Sequence, residues 1–455
     1  MRANSFLWCL LLTAGGVARA QAQTTTSFEY ERFQLANGLD VLLHRLAHVP
    51  VVTVMTTYRV GSANERAGRS GFAHLFEHLM FKGSRHVPAG KLAEWLVEAG
   101  GGANGATSND ITVYATWAGS HALELALYLD AERMGFLLDG ITGPSLDVER
   151  DVVKNERRER VDNAPYGSAF VILNEAVYGK QHPYSWPPIG SMADLTAASL
   201  DDVTQFYKTY YAPNNAQLVI VGDIDLRTTR GLVEKWYGPI PRAADPPPIV
   251  AAPPRLDGEV RLRKEESVQL ARLYMAWPTP PVYAAGDAAL NVIASLLANR
   301  IRQRLVTELQ VAQNVTAFQE SRSLASGFYL TVTAKPGQAL DLLEREVRQE
   351  LRRLHAAPPD ARDVTRIVNG IESNLLSGIE ATGGRADRIS SYLRNTGMPD
   401  YFDEDLARYR TLTPRDLTDA AQSFLPLDRR VVLSIVPNGK AELAATNSAP
   451  VRTTP

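Results

Sequence analysis

The hydrophobic positions of this chain follow two periodicities. Val51 to Tyr58 and Ile111 to Thr116 are runs rich in β-branched and aromatic residues, which predict strands. Elsewhere the apolar residues recur at helical spacing, over Gly71 to Phe81, Ala89 to Ala99 and His121 to Phe136. A further helical stretch opens at Asp202-Val203-Thr204 and leads into the apolar run Leu218-Val219-Ile220-Val221. Strands separated by pairs of helices, with no glycine-rich dinucleotide fingerprint, predict an α+β fold of mainly antiparallel sheets with flanking helices.

The pattern repeats. Asp416-Leu417-Thr418 opens a second helix that ends in Val431-Val432-Leu433-Ser434-Ile435, 214 residues after its counterpart at Asp202. His121 to Leu125 resembles Gln338 to Leu342 at an offset of 217, and Arg150-Asp151-Val152 resembles Arg362-Asp363-Val364 at 212. Drifting offsets are what loop insertions leave in a duplicated unit. The prolines from Pro239 to Pro254 fall between the copies, and at that density they make a stiff, extended spacer. The expected organisation is two homologous domains, 27–238 and 255–440, joined by the linker 239–254 and followed by a disordered tail, 441–455.

Charge and composition narrow the function. Lys and Arg number 48 against 50 Asp and Glu, a net charge of −2. This balance gives no basic footprint for nucleic acid and no general attraction to anionic lipid, although a local patch stays open. Arg2, the apolar run Phe6 to Val17 and the small-residue end Ala18-Arg19-Ala20 read as a cleavable signal peptide over 1–20. No later segment is apolar for long enough to cross a bilayer. The one cysteine, Cys9, lies inside this leader, so the mature chain has no thiol for catalysis or metal binding. An exported protein, most simply a bacterial periplasmic one, is expected.

The chemistry concentrates at His74-Leu75-Phe76-Glu77-His78. On a helix, positions i and i+4 share a face, so both imidazoles can meet one metal ion, with Glu77 beside them as a base rather than a ligand. Phe72, Leu75, Phe76, Leu79 and Met80 interleave with these residues and demand burial. Buried imidazoles and a carboxylate without a partner are costly, and a metal removes that cost. Hydrolytic zinc needs a third protein ligand and an open position. The charged helix from Asp147 to Arg160 offers Glu149 and Glu156, two turns apart on one face, and Glu159. One of the first two can bind zinc while the other supports a histidine, or the segment can be a solvated, salt-bridged helix.

The stretch Gly71 to Gly83 resembles the active-site helix of the pitrilysin/insulinase zinc peptidases, in particular their half-size, mitochondrial-processing-peptidase-like branch. Glu149 to Glu156, Asn104 to Ser108, His182-Pro183-Tyr184 and Tyr211 to Asn215 running on to Asp223 are similar to that family as well, so the likeness spans the mature chain. It implies one zinc ion on His74, His78 and Glu156, with Glu149 in support and Glu77 as general base of peptide hydrolysis. It also implies that peptide substrate adds as a strand along Asn104, Ala106 and Thr107. Gly105 stands where the family usually has alanine.

The second copy has lost the chemistry. At offset 214 the motif falls on Ala288, Asn291 and Val292, and at 216 on Leu290, Ile293 and Ala294. At 212 the two glutamates fall on Ala361 and Val368, so a chamber wall is expected there. Relatives that are catalytically complete carry an Arg and a Tyr in this half, at places that align with Val306 and Gln313. Their absence implies a heterodimer in which a homologous subunit supplies the pair, or else a homodimer that works without it. The competing reading is a non-catalytic structural or peptide-binding subunit.

Overall fold

The structure, a computed structural model, describes residues 30–451; the leader expected over 1–20 lies outside them. Two six-stranded sheets form the frame. The first holds β1 (Tyr30–Gln34), β2 (Asp40–Arg45), β3 (Val51–Tyr58), β4 (Gly102–Thr107), β5 (Thr112–Gly119) and β6 (Ala216–Gly222), in the order β1-β2-β6-β3-β5-β4. The second holds β7 (Val260–Glu266), β8 (Arg272–Thr279), β9 (Ala312–Glu320), β10 (Ser326–Ala334), β11 (Val431–Pro437) and β12 (Ala449–Pro450), in the order β12-β7-β11-β8-β10-β9. Pairing is antiparallel except β2 with β6, β7 with β11 and β7 with β12. The sheets are thus two α+β copies of one plan. Residues 241–256 between them carry no helix or strand.

Each sheet buries one face under helices of its own half. Leu273, Met275, Trp277 and Val432 of the second sheet, for example, pack with Leu290, Ile293, Leu343 and Leu417. The other face is covered across the duplication. Helix Ala169–Tyr178 of the first half lays Leu173 and Val177 on Tyr274, Leu433 and Ile435 of the second sheet. Helix Thr382–Thr396 of the second half lays Ala386, Ile389 and Tyr392 on Leu42, Met55 and Val219 of the first. Polar contacts follow the same exchange, with Thr57 Oγ1 and Ser390 Oγ 2.8 Å apart and Tyr329 Oη donating to Asn174 Oδ1 at 3.0 Å. Neither sheet is covered on both faces by its own half.

Two expectations need correction. The described part of the 441–455 tail is ordered: Ala441–Leu443 forms a turn, and Ala449–Pro450 pairs with Leu262 and Arg263 as an edge strand. An exposed row of backbone donors and acceptors on β7 can bind such a segment without any sequence pattern. Two of the offsets between the copies, those of the motif helix and the acidic helix, also differ from the expected ones, while 214 and 217 hold. Gly71 and Gly286 both start their helices in the left-handed region, with φ of 91° and 92°, at an offset of 215. His74, Glu77 and His78 therefore correspond to Ala289, Val292 and Ile293. The caps Thr142 and Asp360 set the acidic helix at 218, matching Glu149 to Ile367 and Glu156 to Asn374. On either count no histidine or carboxylate falls at the corresponding positions.

Candidate metal and catalytic site

The ligand helix, Phe72–Leu79, is held at its start by groups outside it. Gly71 offers no side-chain cap, and Glu65 substitutes: its carboxylate accepts from Gly71 N at 3.0 Å and Ala73 N at 2.9 Å. A negative group at a helix N-terminus is favourable, which offsets part of the cost of burying this one. Burial still pushes the Glu65 carboxyl up to about 8. A Cβ on Gly190 would lie 2.4 Å from the Gly71 Cα, so two backbones meet here where no other residue fits. Phe76 packs on Phe206, Tyr207 and Tyr211 behind the helix, with ring centroids 5.0–5.9 Å away. That apolar face turns His74, Glu77 and His78 toward the acidic helix, Gly143–Arg157, and the edge strand β4.

The donor atoms converge. His78 Nε2 lies 3.2 Å and His74 Nε2 3.7 Å from Glu156 Oε2, and one ligand atom from each residue falls within 4.8 Å of the others. Two atoms each bound about 2.0–2.2 Å from one tetrahedral ion stand roughly 3.3–3.6 Å apart, so the spacing fits zinc. The donor set of two imidazoles and one carboxylate fits it too. Among the described residues this is the one cluster of three or more His, Cys, Asp or Glu that could hold a metal.

The protonation states agree with that fit. Burial, with His78 beside it, pushes His74 down to about 4, so its ring is neutral and offers a lone pair. Burial also works against a charged His78, but the nearby carboxylates of Glu149, Glu156 and Glu77 outweigh it and raise the group. Glu149, 2% exposed, has its Oε2 3.7 Å from His78 Nδ1 and its Oε1 2.9 Å from Lys82 Nζ. Burial would raise its pKa, and these two cations together lower it. Arg160 holds the other oxygen of Glu156 at 2.6 Å, from a π-helical turn, Arg158–Asp162, that continues the acidic helix.

Glu77 stands outside the ligand cluster. Its Oε2 accepts from Thr107 Oγ1 at 2.7 Å, and burial raises its pKa, as a proton-accepting base requires. A Cβ at position 105 would come within 2.7 Å of Glu77 Cγ, so the glycine of β4 makes room for this side chain. β4 is the edge of its sheet, paired with β5 alone. Thr107 and position 105 face Glu77, while Asn104 and Ala106 alternate to the other face and are exposed. Of the three expected substrate-side residues, one touches a side chain of the site.

Lys82, Arg160 and Glu65 are participants absent from the expected site residues, and Gly105, expected only as a departure from the family's alanine, makes room for Glu77. Arg160 carried a signal, the i, i+4 spacing from Glu156. Lys82 and Glu65 lie beyond the helix ends and carried none. Val306 packs against the second core, and Gln313 lies exposed on β9.

Known proteins give the same picture. Residues 40–183 match the family model described as "Insulinase (Peptidase family M16)", and residues 197–371 the one described as "Peptidase M16 inactive domain". A zinc protease, PqqE, of Helicobacter pylori is 28% identical over 403 residues, covering 86% of this chain and 89% of that protein. A probable mitochondrial-processing peptidase subunit beta of Schizosaccharomyces pombe is 26% identical over 432 residues, 91% of this chain and 92% of its own. The crystal structure of a protease from Helicobacter pylori superposes with a TM-score of 0.85 at 27% identity, covering 90% of this chain and 100% of that one. A peptidase M16 inactive domain from Pseudomonas fluorescens shares the fold at a TM-score of 0.80 and 16% identity. With the HxxEH helix, its glutamate partner and the duplicated sheets all present, the chain belongs to the insulinase family of peptidases, M16.

Proposed function

We propose that this chain is a zinc endopeptidase that cleaves peptides or unfolded segments, exported by its leader to a periplasm-like compartment. The observation that carries the reading is the meeting of His74, His78 and Glu156 beside a proton-accepting Glu77. Bound there, zinc would supply Lewis-acid polarisation of the scissile carbonyl and a lowered pKa for attacking water. Glu77 takes the proton of that water and returns it to the leaving amine, while Thr107 holds its Oε2 in place. Glu149 orients His78, and Lys82 keeps Glu149 ionised. An extended peptide pairs with the free edge of β4, which gives affinity with little sequence preference.

The second half supplies a wall rather than a second site, in keeping with its likeness to an inactive domain. A homologous subunit carrying the Arg and Tyr that Val306 and Gln313 replace would complete the substrate site. The test is cleavage of a mixed peptide pool by the mature chain alone, with and without chelator. Chelator-sensitive cleavage supports a self-sufficient peptidase and removes the obligate partner. A folded, zinc-loaded chain that stays silent even with a homologous Arg/Tyr-bearing subunit would instead be a structural or peptide-binding subunit.

A further inference from the structure

On the outer surface of the second half, far from the HxxEH motif in sequence, a groove of about 400 Å³ opens between helix Leu340–Ala356, β7 and the turn at Thr446 and Asn447. Its acids are all engaged. Glu344 accepts from Arg261 at 2.6 and 2.9 Å and from Arg430 at 3.0 Å; Glu259 accepts from Arg261 at 2.7 Å and Arg430 at 2.9 Å. Asp341 is taken by Thr446, whose N and Oγ1 donate at 2.7 and 2.8 Å.

Arg345, Arg348 and Arg352 line the groove at i, i+3 and i+7 of one helix face, with Arg345 Nε 3.7 Å from Glu346 Oε1. Arg348 Nε is buried without an acceptor, and so is Nη1 of Arg430, a residue with no exposed surface that lies behind Glu259 and Glu344. Burial lowers the Arg430 pKa and the Arg348 charge adds to the effect, while Glu259 and Glu344 oppose it. The Arg348 Nε–H, which no acceptor meets at the groove, is a donor for a bound anion. The first half has nothing comparable: at the offset of 217 set by Leu123 and Leu340, the three arginines correspond to Tyr128, Ala131 and Gly135.

We propose that this groove binds an anion carrying at least two phosphate groups. Positions i to i+7 span about 10 Å of helix, longer than one phosphate can bridge, and guanidinium forks match phosphate oxygens in pairs. The groove volume accommodates a pyrophosphate-bearing small molecule. Two neighbouring lipid headgroups present the same chemistry.

The test is titration calorimetry of the full mature chain with pyrophosphate and with orthophosphate, alongside co-sedimentation with phosphatidylglycerol vesicles. The double variant Arg348→Gln/Arg352→Gln is compared with Arg415→Gln, an exposed arginine elsewhere. A second double variant, Arg345→Gln/Arg352→Gln, alters exposed groups only and guards against misfolding. The expected result is pyrophosphate binding at least about tenfold tighter than orthophosphate, weakened about tenfold or more by both double variants and unchanged by Arg415→Gln. Binding to vesicles alone, lost in the same variants, assigns the phosphates to a lipid surface. No saturable binding of either probe below about 1 mM, or equal loss in Arg415→Gln, overturns the proposal.

Discussion

The two halves of this molecule share a backbone plan and differ in what it is used for. Both begin their central helix at a left-handed glycine, and both pack that helix against the sheet. In the second half the positions of His74, Glu77 and His78 are Ala289, Val292 and Ile293, all buried in one continuous core. Where Glu149 sits 2% exposed among charges, the second half has Ile367. The apolar version needs no partner for its side chains. The polar version needs counterparts for its charges: Lys82 meets Glu149, Arg160 meets Glu156, and the two histidines stand with Glu156 where a metal ion would fit. The halves thus differ by a local exchange of side chains, part of whose cost a few surface cations offset in the first half.

Four experiments break or sharpen this contrast, taken from the largest expected effect to the smallest. Glu77→Gln removes the base but no ligand, so kcat falls by about 10²–10⁴-fold while zinc content, read by atomic emission, stays near one per chain. A variant that kept its activity would remove Glu77 from the mechanism. Next comes the exchange of covering helices, which ties the halves despite their different chemistry. Leu173→Ala and Ile389→Ala, each wholly buried on the opposite half's sheet, should each cost about 2–5 kcal/mol in denaturant unfolding, with one shared transition. Two separate transitions would mean that the halves are independent.

Glu149→Gln keeps the shape beside His78 and removes the charge. Zinc affinity should weaken about 10–100-fold in a competition titration, and unchanged affinity would make Glu149 a merely structural acid. Finally, pH should act through the histidines one at a time. His78 has a raised pKa, so its proton competes with zinc from above pH 6.5 downward; His74, at about 4, competes only near that pH. Zinc affinity should therefore fall by about tenfold per pH unit as pH drops below about 6.5, and more steeply below about 4. A two-proton slope already at pH 7 would contradict the depressed His74.

Much of this was legible locally. The HxxEH spacing needs only the helical period, and Ser199 with Asp202 and Thr413 with Asp416 form capping boxes at the offset of 214 seen in the sequence. The Arg-Asp-Val likeness at 212 misled because Arg362 stands in the first turn of its helix and Arg150 in the middle of its own. One copied tripeptide is weaker evidence than a shared cap, which marks where a helix physically begins.

The duplication, the helix that presents two histidines and a glutamate on one side, and the absence of ligands from the second copy are all written in the order of residues along the chain. These depend on residues a few positions apart, whose geometry the helix imposes. Only the tertiary structure decided that Glu156 meets both histidines, that Thr107 and the space at Gly105 seat Glu77, and that each sheet is roofed by the other half's helix. It also decided that the tail closes an arginine-lined groove. Those contacts join residues dozens to hundreds of positions apart, and no local periodicity encodes which of several equally apolar or charged faces will meet.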